Sequence, residues 1–162
     1  MNRVRIYHRA QQVLPSAIQT AGLRGVAMSA GQLRYLLFGL LLGHESRGAV
    51  VLELARHAAA AIQREGLGYF EGATRSRGAL AGGTPSYYEA WRHLSSGHQD
   101  GHHAVCAEWM GVMDDGVLPR ERRVLDAAWH DDAYLTRDIG RDAWLAVLPA
   151  AAVVLYSWRD AG

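Results

Sequence analysis

The hydrophobic positions of this chain recur mostly at intervals of three and four residues, which is the spacing of one face of an α-helix. The most apolar stretch follows the capping-box pattern Ser29-Ala30-Gly31-Gln32 and predicts a buried helix over residues 32–42. Similar spacing predicts helices over residues 3–20 (with a break at Pro15 as an alternative), 49–65, 86–95, 102–113, 120–135 and 142–158. The side chains predicted to be buried are Leu36, Leu37, Leu40, Leu54, Ile62, Leu125 and Leu145.

Residues 66–85 lack this periodicity and contain six glycines. A stretch of this composition and length predicts a loop, with a short hairpin as the alternative. No internal repeat is visible along the chain. We therefore predict an all-α fold: one compact domain over residues 1–162, with six or seven helices and a Gly-rich loop near residues 66–85.

The overall composition is that of an ordinary globular domain. The 162 residues fit one domain, and 49% of them are hydrophobic while 20% are charged. This balance excludes collagen-like and disordered chains, and the single cysteine, Cys106, excludes an internal disulfide. The chain has no signal-peptide pattern, and Pro149 interrupts its most apolar run. We therefore predict a cytoplasmic protein that does not enter the membrane.

Charge is distributed unevenly between the two halves of the chain. All 17 basic residues are arginines, and the net charge is +6 over residues 1–80 and −5 over residues 81–162. A guanidinium group stays protonated and pairs bidentately with a carboxylate or a phosphate. The basic half therefore indicates an anionic partner, with neutralisation between the two halves as the alternative. The candidate binding residues are Arg3, Arg5, Arg9, Arg75 and Arg77, together with Tyr69 and Phe70, whose rings could stack on bases.

These features predict a small regulatory or interaction protein of a bacterium or its mobile elements, without catalytic activity or a cofactor. Its Arg-rich N-terminal half would bind an acidic protein surface or a nucleic acid. The sequence identifies neither the partner nor the oligomeric state.

A histidine-rich stretch, residues 93–106, gives a first alternative, which is a metal site. His98, His102 and Cys106 are spaced by four residues and would lie on one face of a helix. Such a set binds zinc when a fourth ligand is present, and His130 or an acid could supply it. The glycines within the stretch favour a turn instead, and the histidines would then be solvated.

A second alternative rests on His102 and His103. They lie 28 and 27 residues before His130, which belongs to the sequence Ala127-Ala128-Trp129-His130-Asp131. This arrangement resembles HD-domain phosphohydrolases, which are all-α enzymes that hold a divalent metal ion. The resemblance implies that His102 or His103, with His130 and Asp131, holds the metal. The metal would lower the pKa of a bound water and offset phosphate charge.

A third alternative concerns the corner Gly43-His44-Glu45-Ser46, which follows an apolar segment. It resembles the corner that bears the catalytic glutamate in family 19 chitinase-like and related cell-wall hydrolases. The resemblance implies that Glu45 is catalytic, with Glu65 as a second carboxylate and the glycine-rich segment as a substrate cleft. On the residues alone, Glu45 and Ser46 instead start the helix predicted over residues 49–65, with Ser46 near its N-cap.

Overall fold

The described part of the chain is built mainly of β-strands. The computed structural model describes residues 3–28, 46–79, 85–94 and 132–160. Strands make up 49% of this part, and most of them form a six-stranded antiparallel sheet beside two α-helices. The predicted all-α fold of six or seven helices is therefore wrong.

The described elements run in the order helix, two strands, helix and six further strands. The helices are α1 (Arg3–Val13) and α2 (Arg56–Glu65), and α2 continues into a 3-10 helix (Gly66–Phe70). The strands are β1 (Thr20–Met28), β2 (Ser46–Leu54), β3 (Arg75–Ala79), β4 (Pro85–Tyr87), β5 (Arg92–Leu94), β6 (Ala133–Arg137), β7 (Asp142–Leu148) and β8 (Val153–Asp160). Within the described ranges, neither α-helix is long and apolar enough to cross a membrane.

The six strands of the main sheet lie in the order β1-β2-β8-β7-β6-β5, and all neighbours are antiparallel. β8 lies inside the sheet, where it pairs with β2 on one side and with β7 on the other. β3 and β4 form a separate two-stranded ribbon. Tyr88, directly after β4, forms an isolated bridge with Asp138, directly after β6. The β3–β4 ribbon is therefore tied to the end of the main sheet.

Both faces of the sheet are buried. Along β2, Val50, Leu52 and Leu54 belong to the larger core cluster, into which α1 and α2 also pack. Ala49 and Val51 alternate with them and belong to a second cluster. Side chains alternate between the two faces of a strand, so the two clusters lie on opposite faces. A strand buried on both faces is apolar at consecutive positions rather than at alternate ones.

This double burial explains the error over residues 49–65. A short, continuous apolar run does not distinguish a doubly buried strand from a buried helix. The structure divides the segment at Ala55: β2 ends at Leu54 and α2 begins at Arg56. The predicted burial of Leu54 and Ile62 is confirmed, although Leu54 lies in a strand.

The predicted helix over residues 142–158 is wrong for the same reason. The segment consists of β7, a turn at residues 149–152, and β8. Pro149 and Ala152 close the turn, where the Ala152 N–H donates to the Pro149 carbonyl at 3.1 Å. The predicted burial of Leu145 is confirmed.

Two other segments differ from the prediction. The predicted Gly-rich loop near residues 66–85 contains the 3-10 helix and β3. β3 pairs with β4, which begins at Pro85, and this pairing is the hairpin of the alternative prediction. The segment 86–95 contains strand residues rather than a helix, because Tyr88 and its neighbours pair with other strands. The first helix ends at Val13 and not at residue 20, since the residue before a proline, here Pro15, is disfavoured in a helix.

The remaining helix predictions fall mainly outside the described residues. Residues 32–42 and 102–113 lie outside completely, as do the side chains predicted to be buried there and nearby, Leu36, Leu37, Leu40 and Leu125. Of residues 120–135, the last three belong to β6 and are therefore strand.

Candidate functional site

Helix α1 turns one face to the core and the other to solvent. The residues on the core side are Ile6, Tyr7, Ala10 and Val13. The exposed side carries Arg5, His8 and Arg9, which we call the α1 arginine face. No Asp or Glu occurs anywhere between residues 3 and 28. The α1 arginine face is therefore positively charged, with no acidic residue on its own helix.

The guanidinium groups of Arg5 and Arg9 are free of ion pairs and hydrogen bonds within the described residues. Other exposed arginines differ in this respect. Arg64, Arg92 and Arg137 each pair with a carboxylate, at 2.6, 3.4 and 3.5 Å respectively. Arg5 and Arg9 lie four positions apart, so their side chains are neighbours on the helix surface. They form a pair of cations whose donors are not used by any described residue.

The guanidinium groups of Arg3 and Arg77 donate hydrogen bonds to backbone carbonyl oxygens of the fold. Arg3 donates to two carbonyl oxygens of β1, at 3.0 and 3.4 Å. Arg77 donates to the carbonyl oxygens of Ile18 and Ser16, at 2.5 and 3.4 Å. Both side chains therefore hold the segment after α1 in place, and part of their donor capacity is already taken.

Arg75 lies over an aromatic ring on the outer side of the β3–β4 ribbon. Its Cζ atom is 5.8 Å from the centroid of the Tyr87 ring, and the two residues are register partners. This distance fits a cation–π contact. Both side chains are exposed, so Arg75 is available to a partner together with the ring beneath it.

The aromatic residues proposed for base stacking lie in or near the core. Phe70 is 2% exposed and stacks on Trp91, with 4.2 Å between ring centroids. The Tyr69 hydroxyl donates to the Ala17 carbonyl at 2.6 Å. Burial raises the pKa of Tyr69 above its ordinary value, and the charge of Glu65 raises it further. These contacts give both rings a packing role in this structure.

A histidine–aspartate pair lies at the edge of the sheet. His93 Nε2 is 2.8 Å from Asp132 Oδ1, and the His93 ring centroid is 5.0 Å from that of Tyr134. The pair joins β5 to the start of β6. His93 was visible in the sequence as part of the histidine-rich stretch, but its partner was not, because the two residues are 39 positions apart.

Glu65, the second carboxylate of the cell-wall hydrolase alternative, lies at the end of α2 and pairs with Arg64 at 2.6 Å. The other residues of the metal and enzyme alternatives lie outside the described residues. They are Glu45, His98, His102, His103, Cys106, His130 and Asp131. Among the described residues, no group of three or more His, Cys, Asp or Glu side chains is placed to hold a metal ion. The helical fold implied by the resemblance to HD-domain phosphohydrolases is wrong for this chain, because its described part is a β-sheet.

A buried polar group that sequence reasoning missed lies where the β3–β4 ribbon meets the sheet. Asp138 is 3% exposed, and its Oδ1 accepts a hydrogen bond from the Gly140 N–H at 2.9 Å. Its Oδ2 has no hydrogen-bond partner among the described residues. The neighbouring Tyr88 hydroxyl donates to the Val13 carbonyl. The sequence Asp138-Ile139-Gly140 could have indicated this turn, because an aspartate side chain often accepts a hydrogen bond from the N–H two residues later.

Comparison with protein families, with curated proteins and with solved structures gave no match to this chain. Its function is therefore argued from its surfaces. All five predicted binding arginines are exposed, but among the described residues Arg5, Arg9 and Arg75 make no hydrogen bond, whereas Arg3 and Arg77 do.

Proposed function

We propose that this protein is a non-catalytic binding protein that contacts an anionic macromolecule through the α1 arginine face. The observation that carries the proposal is the pair Arg5 and Arg9, which are exposed on a helix without acidic residues and are not paired with any described residue. An arginine side chain remains charged at any physiological pH, so this face attracts anions under all ordinary conditions. The partner is an acidic protein surface or a nucleic acid.

The distribution of ion pairs supports an external partner over neutralisation between the halves. The ion pairs between described residues each lie within one half of the chain: Arg64–Glu65 in the first, and Arg92–Glu89, His93–Asp132 and Arg137–Asp142 in the second. The two halves do share one sheet, because β2 pairs with β8. Among the described residues, the halves are therefore joined by backbone pairing, apolar packing and hydrogen bonds to carbonyl groups, such as Arg24 to Ala151 and Tyr88 to Val13, rather than by ion pairs.

Helix α1, which carries these arginines, is itself held in a fixed position. The Tyr7 hydroxyl donates to the Thr20 carbonyl at 2.8 Å, and Gln11 Nε2 donates to the Tyr7 hydroxyl at 2.9 Å. Ala10 and Val13 anchor the same helix in the core. A charged face on a rigid element loses less entropy when it binds than one on a mobile segment.

The double charge reversal Arg5→Glu/Arg9→Glu tests the proposal. The matched control is Arg64→Glu/Arg92→Glu, which changes the net charge equally at two exposed arginines elsewhere. Fluorescence anisotropy would measure binding to labelled 20-mers of single-stranded DNA, duplex DNA and RNA, and to poly-glutamate. We expect binding to at least one probe, a loss of at least tenfold in the α1 variant, and a smaller loss in the control.

Salt dependence separates the two kinds of partner. With nucleic acid, the log–log slope of affinity against salt should decrease by about one for each phosphate contact removed. With an acidic protein surface, poly-glutamate should bind and the salt response should be shallower. If neither kind of probe binds at low salt, or if both double variants lose affinity equally, the α1 arginine face is not a binding site.

A further inference from the structure

We propose that Arg75, Tyr87 and Ile139 form a second docking site, which receives a segment of a partner protein that combines carboxylate and apolar side chains. We call these three residues the Arg75–Tyr87–Ile139 row. The inference is independent of the α1 arginine face, because it rests on a different part of the fold.

The three residues of the row lie side by side on adjoining backbone segments. Arg75 and Tyr87 are register partners across β3 and β4. The bridge between Tyr88 and Asp138 places Tyr87 opposite Ile139, and the Ile139 N–H donates to the Tyr87 carbonyl at 2.8 Å. Residues directly opposite in an antiparallel pair project to the same side. A cation, an aromatic ring and an aliphatic side chain therefore occupy one side of three adjoining backbone segments.

The row faces outwards while its neighbours face inwards. Tyr87 is 50% exposed and Ile139 is 66% exposed, whereas Ser86, Tyr88 and Asp138 are almost completely buried. Isolated exposed hydrophobic residues are common on protein surfaces. The row instead combines an exposed isoleucine with a tyrosine and an arginine, and tyrosine and arginine are enriched where proteins bind one another. This combination indicates a protein-binding surface.

The backbone that presents the row is held in place from behind. Asp138 Oδ1 accepts the Gly140 N–H at 2.9 Å and fixes the turn that carries Ile139. The Tyr88 hydroxyl donates to the Val13 carbonyl and fixes the residue after Tyr87. The row is therefore preorganised, which reduces the entropy lost on binding.

The charges around the row indicate which partner it takes. Arg92 and Arg137 are each paired with a carboxylate, Glu89 and Asp142 respectively, whereas Arg75 has no acidic partner among the described residues. A partner carboxylate would complete a charge-assisted pair with the Arg75 guanidinium.

Nucleic acid fits this surface less well than protein. It carries a phosphate at every nucleotide, whereas the row offers one cation, the Arg75 guanidinium. It also has no apolar side chain to cover Ile139. A protein segment can place a single carboxylate at Arg75 and apolar side chains over Tyr87 and Ile139.

The test uses an array of fluorescent 12-residue peptides in which the order of Asp or Glu and of Leu or Phe is varied systematically. We expect a subset with an acidic residue next to an apolar one to bind the full chain. Arg75→Gln, Tyr87→Ser and Ile139→Ser should each weaken that binding at least tenfold. The control is Leu67→Ser, which removes another exposed hydrophobic side chain, 45% exposed, on the 3-10 helix.

The controls keep this proposal separate from the proposed function. The preference for peptides with an apolar residue next to the acidic one should persist in Arg5→Glu/Arg9→Glu, while Ile139→Ser should abolish that preference and leave binding of the polyanion probes unchanged. The proposal is overturned if no acidic–apolar peptide binds, or if Leu67→Ser weakens binding as much as Ile139→Ser. It is also overturned if a 12-nucleotide single strand binds the row and the peptides do not.

Discussion

At the scale of single residues, Gly48 in β2 lies in close contact with a tryptophan ring on the neighbouring strand. Gly48 pairs with Trp158 in β8, and a Cβ atom at Gly48 would lie 2.6 Å from Cη2 and 2.8 Å from Cε2 of the indole. Van der Waals contact between carbons needs about 3.5–4 Å, so the indole would have to move. The absence of a side chain at Gly48 is thus what allows Trp158 to lie across β2.

The variant Gly48→Ala should therefore destabilise the fold by about 1–3 kcal/mol, the usual range for overpacking. Urea denaturation followed by tryptophan fluorescence would measure this change. The matched control is Gly25→Ala in β1, where a Cβ would meet no heavy atom within 4 Å. Equal stability of the two variants would show that the indole moves aside without loss.

A second residue-scale prediction concerns Tyr88 and alkaline pH. Burial raises the pKa of Tyr88 well above its ordinary value, and the nearby Tyr156 and Asp138 raise it further. In the unfolded chain a tyrosine titrates near pH 10, so above about that pH only the unfolded state releases the proton. The stability contributed by neutral Tyr88 is complete below that pH and is lost as pH rises towards the folded-state pKa.

We expect the wild-type chain to lose up to about 1.4 kcal/mol of stability per pH unit above pH 10 through this residue. Tyr88→Phe should be less stable at neutral pH, because the Val13 carbonyl loses its donor, and should show a smaller alkaline slope. Tyr87→Phe is the control, since Tyr87 is half exposed. Urea denaturation at pH 9, 10 and 11 would compare the slopes, and identical slopes for both variants would contradict the prediction.

At the scale of elements, Arg77 joins β3 to the segment between α1 and β1. Its backbone N–H donates to the Leu14 carbonyl at 2.9 Å, and its side chain donates to the carbonyls of Ile18 and Ser16. Hydrogen bonds from a charged donor contribute about 1.5–3 kcal/mol each when buried, and less when exposed. The Arg77 side chain is partly exposed, so its contribution should fall at the low end of that range.

Arg77→Ala should therefore lower the free energy of unfolding by about 1–2 kcal/mol. Arg75→Ala, two residues earlier in the same strand, should lower it by less than about 1 kcal/mol, because an exposed cation–π contact is weak. Thermal denaturation of the two variants side by side would check the order. If Arg75→Ala were the more destabilising change, the structural role assigned to Arg77 would be incorrect.

The elements also show how far the sequence could predict the structure. Helix α1 was readable because Ile6, Ala10 and Val13 follow helical spacing and Pro15 marks its end. β2 and β8 were not, because burial on both faces removes the alternation that identifies a strand. No glycine or proline stands between Ala49 and Glu65 to mark a boundary, so only the fold divides β2 from α2 at Ala55.

The candidate site was predictable only in part. Arginine composition and charge pointed to the basic half, where Arg5, Arg9 and Arg75 are exposed and make no hydrogen bond to a described residue. Nothing in the sequence could tell these from Arg3 and Arg77, whose donors reach carbonyl groups up to 61 residues away. Ile139 was equally hidden, because only the bridge between Tyr88 and Asp138 brings it beside Tyr87.

At the scale of the whole molecule, the two halves of opposite charge are not separate bodies. β1 and β2 come from the basic half, and β6, β7 and β8 come from the acidic half, yet all five lie in one sheet. Pairs such as Leu52↔Val154 join residues about 100 positions apart. Contacts of such long range slow folding, because the chain must close a large loop before they form.

This topology makes β8 the strand on which the sheet depends. Val153, Val154 and Leu155 are completely buried, and β8 pairs along nearly its whole length with β2 and β7. Deleting residues 153–162 would remove both ladders and expose the apolar faces of two neighbouring strands. We therefore expect the truncated chain to be unfolded or aggregated, without a cooperative thermal transition by circular dichroism.

Single substitutions in the full chain can test the same dependence on β8. Leu155→Asp places a charge in the core and should prevent cooperative folding, because an unpaired buried carboxylate is strongly unfavourable. Leu67→Asp, at a position 45% exposed on the 3-10 helix, should fold normally. Both variants add one negative charge, so only the burial of the site differs. A cooperative transition in Leu155→Asp at the wild-type temperature would mean that β8 does not lie inside the sheet.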